Sequence, residues 1–529
     1  MPDAVVIGAG HNGLVAANLL ADAGWSVVVL EEQDHPGGAV TSADYLGEGF
    51  TADVCSAFYP LTAASPLIRS LQLERFGLRW RHAPAVLGHA LPDGRCVLLT
   101  RDLDETADGL DALHPGDGDA WRRLVGLWDR VGDDVVDALL RPFPPVRPAT
   151  RLLRELGPQG MLHFARFGLL PVRRLCEEEL PGPGGLLVAG CALHADLAPE
   201  STAGTLFGWL LTMLAQRVGF PVPEGGAQQL TDALVARLRA AGGTVTCSTP
   251  VREVLVRNGR AVGVRTDEGE VDAAKAVLAD VVAPQLYGEL VPWTELPEEL
   301  HDDMRRFHWD YATVKVDWAL DRPVPWTASD LSRAGTVHLG DLDEMTRYAA
   351  DLATGRVPAV PFVLVGQMTT ADPTRSPAGT EALWAYTHVP REVRGDPGAR
   401  DVTITGAWDA RELDEMADRL EQRIETFAPG FRATIRRRHV LGPPQLAAHD
   451  RNLVGGAING GTTQLHQQLV FRPTPGFMTA ATPIDSLFLA SSSAHPGGGV
   501  HGACGANAAH AALRPLRRGP VRNLLRRRG

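Results

Sequence analysis

Residues 3–31 read DAVVIGAGHNGLVAANLLADAGWSVVVLE, and this stretch decides the fold. Asp3 to Gly8 is a short apolar run, the pattern of a buried strand. Leu14, Ala17, Asn18, Leu20 and Ala21 follow at helical spacing, and Gly24 ends them. Ser26 to Leu30 is a second apolar strand that closes on Glu31. Gly8, Gly10 and Gly13 lie between the first strand and the helix. There Gly8 permits the tight turn, Gly10 lets the backbone approach a pyrophosphate, and Gly13 lets the helix pack on the strand. The helix start offers free N–H groups and a positive dipole end to that anion, together with the flanking Ala9, His11 and Asn12. Glu31 follows Gly8 by 23 residues and suits a ribose hydroxyl, as in FAD or NAD, while disfavouring a 2′-phosphate.

Moving outward, Glu31-Glu32 leads into Gly37-Gly38-Ala39-Val40, a second glycine turn. Val97 to Leu99 reads as strand and Ala120 to Leu140 as helix. Arg141 to Pro148 holds four prolines and reads as irregular. Residues 221–285 repeat an α/β grammar: a helix over Gln228 to Ala241, then strands at Thr244 to Cys247, Val251 to Arg257, Ala261 to Thr266 and Ala276 to Ala279. Thr313 to Trp318 and Phe362 to Gln367 read as strands, and Glu412 to Phe427 as helix. At the far end, Ser486 to Ala490 is an apolar strand. His495-Pro-Gly-Gly498-Gly499-Val500 forms a loop, and Gly502 to Leu513 is a helix of small residues.

The opening, the 225–264 block and the closing segment 485–505 together resemble the phytoene desaturase-related family of FAD-dependent oxidoreductases. The opening is most similar to the subgroup of pyridine nucleotide-disulphide oxidoreductase domain-containing protein 2. The resemblance implies FAD as cofactor. Its phosphates and flavin would run along Gly37, Gly38, Ala39 and Val40, and its adenine would lie by the Val251 backbone. The loop of His495, Gly498, Gly499 and Val500 would face the flavin. Ala39 stands where the family often has Arg. A helix N-terminus aimed at the flavin would stabilise the charge gained on reduction. His495 and His501 flank that loop and are weak candidates for proton transfer. Cys504 suits small-residue packing and Asp53 a hydrogen-bonding role. No second phosphate loop occurs, which argues against a separate NAD(P)H domain. The six cysteines contain no CxxC pair, which argues against disulphide exchange and against a structural metal.

The chain of 529 residues carries a net charge of −12, with 51 basic against 63 acidic residues. That balance excludes a nucleic-acid binder driven by global charge. No apolar run reaches the roughly 20 residues needed to span a bilayer. Scattered cysteines and the absence of a basic leader pattern suit a reducing cytoplasm. Only two basic residues are Lys, a usage that suggests a GC-rich bacterial genome. The arginines after Leu513 form a basic tail, read either as a solvated end or as a contact for an anionic membrane.

The expected architecture is α/β (α+β overall). It has a discontinuous Rossmann-like FAD domain in segments 1–105, 221–289 and 441–513. A helical part (106–220) and a mixed-sheet part (290–440) would form the substrate domain, and 514–529 the tail. The expected activity is hydride removal from a hydrophobic, isoprenoid or polyene substrate, with oxygen or a quinone as electron acceptor. Alternatives are a flavin amine oxidase, a redox-neutral polyene isomerase and a non-catalytic FAD-binding regulatory protein.

Overall fold

A computed structural model describes residues 1–514; the basic tail beyond Arg514 lies outside the described residues. The short apolar runs form a five-stranded parallel sheet. Its order is Leu487–Leu489, Ala276–Ala279, Ala4–Ile7, Val27–Leu30 and Thr244–Thr246. Four of these five strands are almost wholly buried, which is why they read as continuous apolar runs rather than alternating ones. The helices His11–Asp22, Gln228–Ala240 and Ala503–Leu513 cover one face, and Leu14, Leu20, Leu230 and Leu234 are buried there. Each such leucine contributes about 1.5–3 kcal/mol of burial. The opposite face meets a three-stranded antiparallel sheet, Val251–Arg257, Arg260–Thr266 and Gly269–Asp272, through Val254, Val264 and Val277.

A second, seven-stranded sheet runs in the order Ile435–Leu441, Ala312–Leu320, Glu381–Val389, Val363–Gln367, Ala334–Leu339, Ala85–Ala90 and Cys96–Leu99. All its pairings are antiparallel except Ala334–Leu339 with Ala85–Ala90. Residues 85–99 thus lie within the 1–105 segment yet pair into the mixed sheet. The helices Asp117–Leu140, Gly185–His194 and Gly204–Val218 pack around Trp121 and Trp209, both fully buried.

The proline-rich stretch 141–148 is not irregular throughout: the helix Val146–Leu169 begins inside it. Pro148 falls in its first turn, where the backbone N–H has no helical acceptor to lose. This helix breaks at Gly157, whose φ is 67°, just before Pro158. Among the described residues no helix is long and apolar enough to cross a membrane.

Candidate cofactor and substrate site

The phosphate loop is held at the carboxyl ends of the parallel strands. Gly8 adopts φ +89° and its N–H donates to Leu30 O at 2.8 Å. A Cβ on Gly13 would lie 2.3 Å from Gly8 O, so only glycine lets the helix start against the strand end. Ala9 N–H donates to Glu31 Oε2 at 2.7 Å, and Gln33 N–H to Oε1 at 2.9 Å. Burial raises the Glu31 pKa, and those two N–H groups oppose the rise. Gly8, Gly10, Glu31, Glu32, Gly38 and Val251 line a trench of about 620 Å³.

A larger cavity, about 1650 Å³ with its open mouth included, continues from the same loop. Gly10, His11, Asn12, Gly37, Ala39, Gly499 and Val500 line its near end. Trench and cavity share Gly10, Asp280, Asp450 and Asn452, so together they make one elongated groove. Gly37 N–H donates to Ala9 O at 3.0 Å. Thr62 Oγ1 donates to Val500 O, and Ser65 Oγ to His501 O at 2.9 Å. These two bonds tether the closing loop to the segment 60–70. The closing helix meets the first helix at Gly505, where a Cβ would lie 1.9 Å from Asn12 O.

Other predicted positions act behind this lining. Ala9 and Gly13 contribute N–H groups, the latter to Asp280 Oδ2 at 2.7 Å. Val40 is buried, and its carbonyl accepts from Thr231 Oγ1 at 2.8 Å. Gly498 packs on Asn459, with a virtual Cβ 2.9 Å from Oδ1. His495 lines neither cavity: its Nε2 bonds Arg141 O at 2.9 Å, and burial lowers its pKa. His501 caps the closing helix, its Nδ1 accepting from Ala503 N–H at 3.0 Å, and burial lowers its pKa to about 3. Cys504 lies among the carbonyls of Ala494 and Gly497, and burial pushes its thiol up to about 12. Asp53 pairs with the fully buried Arg375 at 2.8 Å and accepts from Ala227 N–H at 2.7 Å. Its role is to hold the segment junction.

Three site residues carried too weak a signal to be singled out. Asp280 follows the strand Ala276–Ala279 and so stands at a parallel strand's carboxyl end, as Glu31 does. Burial raises its pKa to about 8. Asp450 is also raised by burial. Asn452 Nδ2 donates to Asp280 O at 3.2 Å, and its Oδ1 accepts from Val282 N–H at 2.9 Å. Burial holds the carboxyl of Asp280 largely neutral near pH 7, which limits repulsion of an anion at the helix start.

The far end of the cavity is floored by the mixed sheet. Lys315, Tyr386, Leu364 and His338 form one cross-strand row, pairing Lys315 with Tyr386, Tyr386 with Leu364, and Leu364 with His338. Trp384 stacks beside Tyr386, centroids 5.9 Å apart. Lys315 Nζ is buried and satisfied by Asp317 and by Asp53 O at 2.9 Å. Phe58, Leu61, Leu211 and Phe220 supply apolar wall.

The groove fits FAD by its own features. It has glycines where any Cβ would collide, two helix starts, an acid at the ribose end and a buried His11 Nε2 without a partner. Bound FAD would supply a two-electron acceptor; Gly8–Gly13, Glu31 and Val251 would hold its adenosine diphosphate half, and Gly37–Ala39 with Gly499–Val500 its flavin half.

Comparison with known proteins agrees. The flavin-containing amine oxidoreductase family matches residues 13–512. Pyridine nucleotide-disulfide oxidoreductase domain-containing protein 2 of Mus musculus is 27% identical, over 97% of this chain and 94% of the relative. The neurosporene-forming phytoene desaturase of Rhodobacter capsulatus is 24% identical, over 94% of this chain and 91% of the relative. The crystal structure of an oxidoreductase from Methanosarcina mazei superposes with a TM-score of 0.61 at 16% identity, covering 96% of this chain and 99% of that one; it shows the shared fold. The chain belongs to the family of flavin-containing amine oxidoreductases and is an FAD-dependent oxidoreductase.

Proposed function

We propose that the protein removes a hydride equivalent from a hydrophobic, isoprenoid-type substrate lying between the flavin and the mixed sheet. One observation carries this reading: a single cavity runs from Gly10 and Val500 to the apolar walls of Phe58, Leu211, Phe220 and Trp384. Similarity to a phytoene desaturase supports it. The chain's own residues bind and orient the substrate and exclude water; neither His495 nor His501 reaches the cavity to act as a base. The electron acceptor would be oxygen or a quinone. Anaerobic mixing of the FAD-loaded protein with C10–C40 isoprenoids of roughly graded length should bleach the flavin for at least one. If none bleaches it, the reading is wrong.

A second reading, amine oxidation, draws support from the family and from the stacked Trp384–Tyr386 pair facing the cavity. Bleaching by alkylamines and not by isoprenoids would favour it.

A reducing cytoplasm is inferred from six free cysteines. Peripheral contact with an anionic membrane is inferred from the helix Val146–Leu169. It exposes Leu162 (74%) and Leu169 (55%), and its first half carries Arg147 and Arg154. Co-sedimentation with phosphatidylglycerol vesicles, reduced by Leu162→Glu, is the expected result; no co-sedimentation contradicts the contact.

A further inference from the structure

His338 is buried on the cavity floor and makes no hydrogen bond to protein among the described residues. Its Nδ1 is sealed: a Cβ on Gly190 would lie 2.2 Å from it, so the helix Gly185–His194 presses its backbone there. Phe362 and His89 pack edge-on against the ring, at centroid distances of 5.6 and 6.1 Å. Only Nε2 is left to open on the cavity. Three neighbouring polar side chains of the floor have protein partners. Lys315 is held by Asp317, Thr336 Oγ1 donates to Val86 O at 3.1 Å, and the Tyr386 hydroxyl meets His194 Nδ1.

The chemistry of this group is specific. Burial, with His89 and His194 nearby, drives the His338 pKa well below its ordinary value, so the ring is neutral. A neutral imidazole carries one proton. With Nδ1 pressed on a Cα that offers no acceptor, the proton belongs on Nε2. His338 therefore presents an uncharged donor to the cavity, near His194, whose ring lines the same cavity. A purely hydrocarbon substrate would bury it unsatisfied, which is costly.

We propose that the substrate is an apolar molecule carrying an acceptor oxygen, a carbonyl or a hydroxyl, and that His338 Nε2–H is the donor that selects it. The proposal rests on the hydrophobic-substrate reading above and narrows it.

The test uses FAD-loaded protein and three matched sesquiterpenoids: β-farnesene, farnesol and farnesal, compared by calorimetric titration. Farnesol or farnesal should bind about tenfold or more tightly than farnesene. His338→Leu should abolish that preference, weakening farnesol and farnesal and tightening farnesene. His338→Gln, which keeps a neutral donor, should restore part of it. Melting curves and flavin absorbance establish that each variant is folded. Should His338→Leu fail to fold, the wild-type comparison and His338→Gln still decide. Equal binding of all three by the wild type, or a preference that survives in folded His338→Leu, overturns the proposal and leaves the hydrophobic-substrate reading standing. Binding of none overturns both.

Discussion

Asp280 shows how one side chain couples cofactor site and stability. Its Oδ2 accepts from Gly13 N–H at 2.7 Å, at the helix start where a phosphate would also be attracted. Burial raises its pKa from 3.8 to about 8. Between those values the folded chain holds a proton that the unfolded chain has lost. Stability from this group is therefore fully present below pH 3.8 and is lost as pH rises through about 8. The half-buried Asp450 and the buried Glu31, both shifted upward, act in the same direction. We predict that FAD-stripped protein loses melting temperature as pH rises from about 5 to about 8, and that Asp280→Asn flattens this slope by several degrees. Thermal melts across that window check it; an identical slope in the variant contradicts the assignment.

At the scale of elements, two helices converge on the cofactor groove, and their spacing is set by Gly505. Its missing side chain admits Asn12 O to a position 1.9 Å from a virtual Cβ. Gly505→Ala must push the closing helix off the first one, at a cost of about 1–3 kcal/mol. The expected result is a melting temperature lower by a few degrees and weaker FAD retention, read by thermal melt and by flavin content after gel filtration. Unchanged values would mean the contact is not tight. The elements themselves were largely legible. Val251–Arg257 and Ala276–Ala279 coincide with the predicted strands, because buried apolar runs between turn residues have few alternatives. The start of the helix at Val146 was placed too late because proline was weighed without its position in the first turn. The pairing of Ala85–Ala90 with Ala334–Leu339 joins segments far apart in the chain, and no local pattern encodes such a partner. Lys315, His338 and Asp280 escaped notice for the same reason: each becomes a site residue only when distant strands are brought together.

At the scale of the molecule, the groove is shared between two sheets. The parallel sheet supplies the phosphate loop and the mixed sheet the cavity floor, and the closing segment 485–513 returns to bind the first. Damage at the loop should therefore remove the cofactor without removing the fold of the mixed sheet. Gly10→Val places a side chain where a Cβ already lies 2.7 Å from Asp280 Oδ2, and this variant should purify colourless and folded. One FAD per chain would fill the continuous groove from Val251 to Val500. The most direct measurement is the visible spectrum of the freshly purified wild-type chain, followed by heat release and quantification of the flavin. Oxidised-flavin bands and one FAD per chain are the expected result. A colourless protein that cannot be reconstituted with FAD would contradict it.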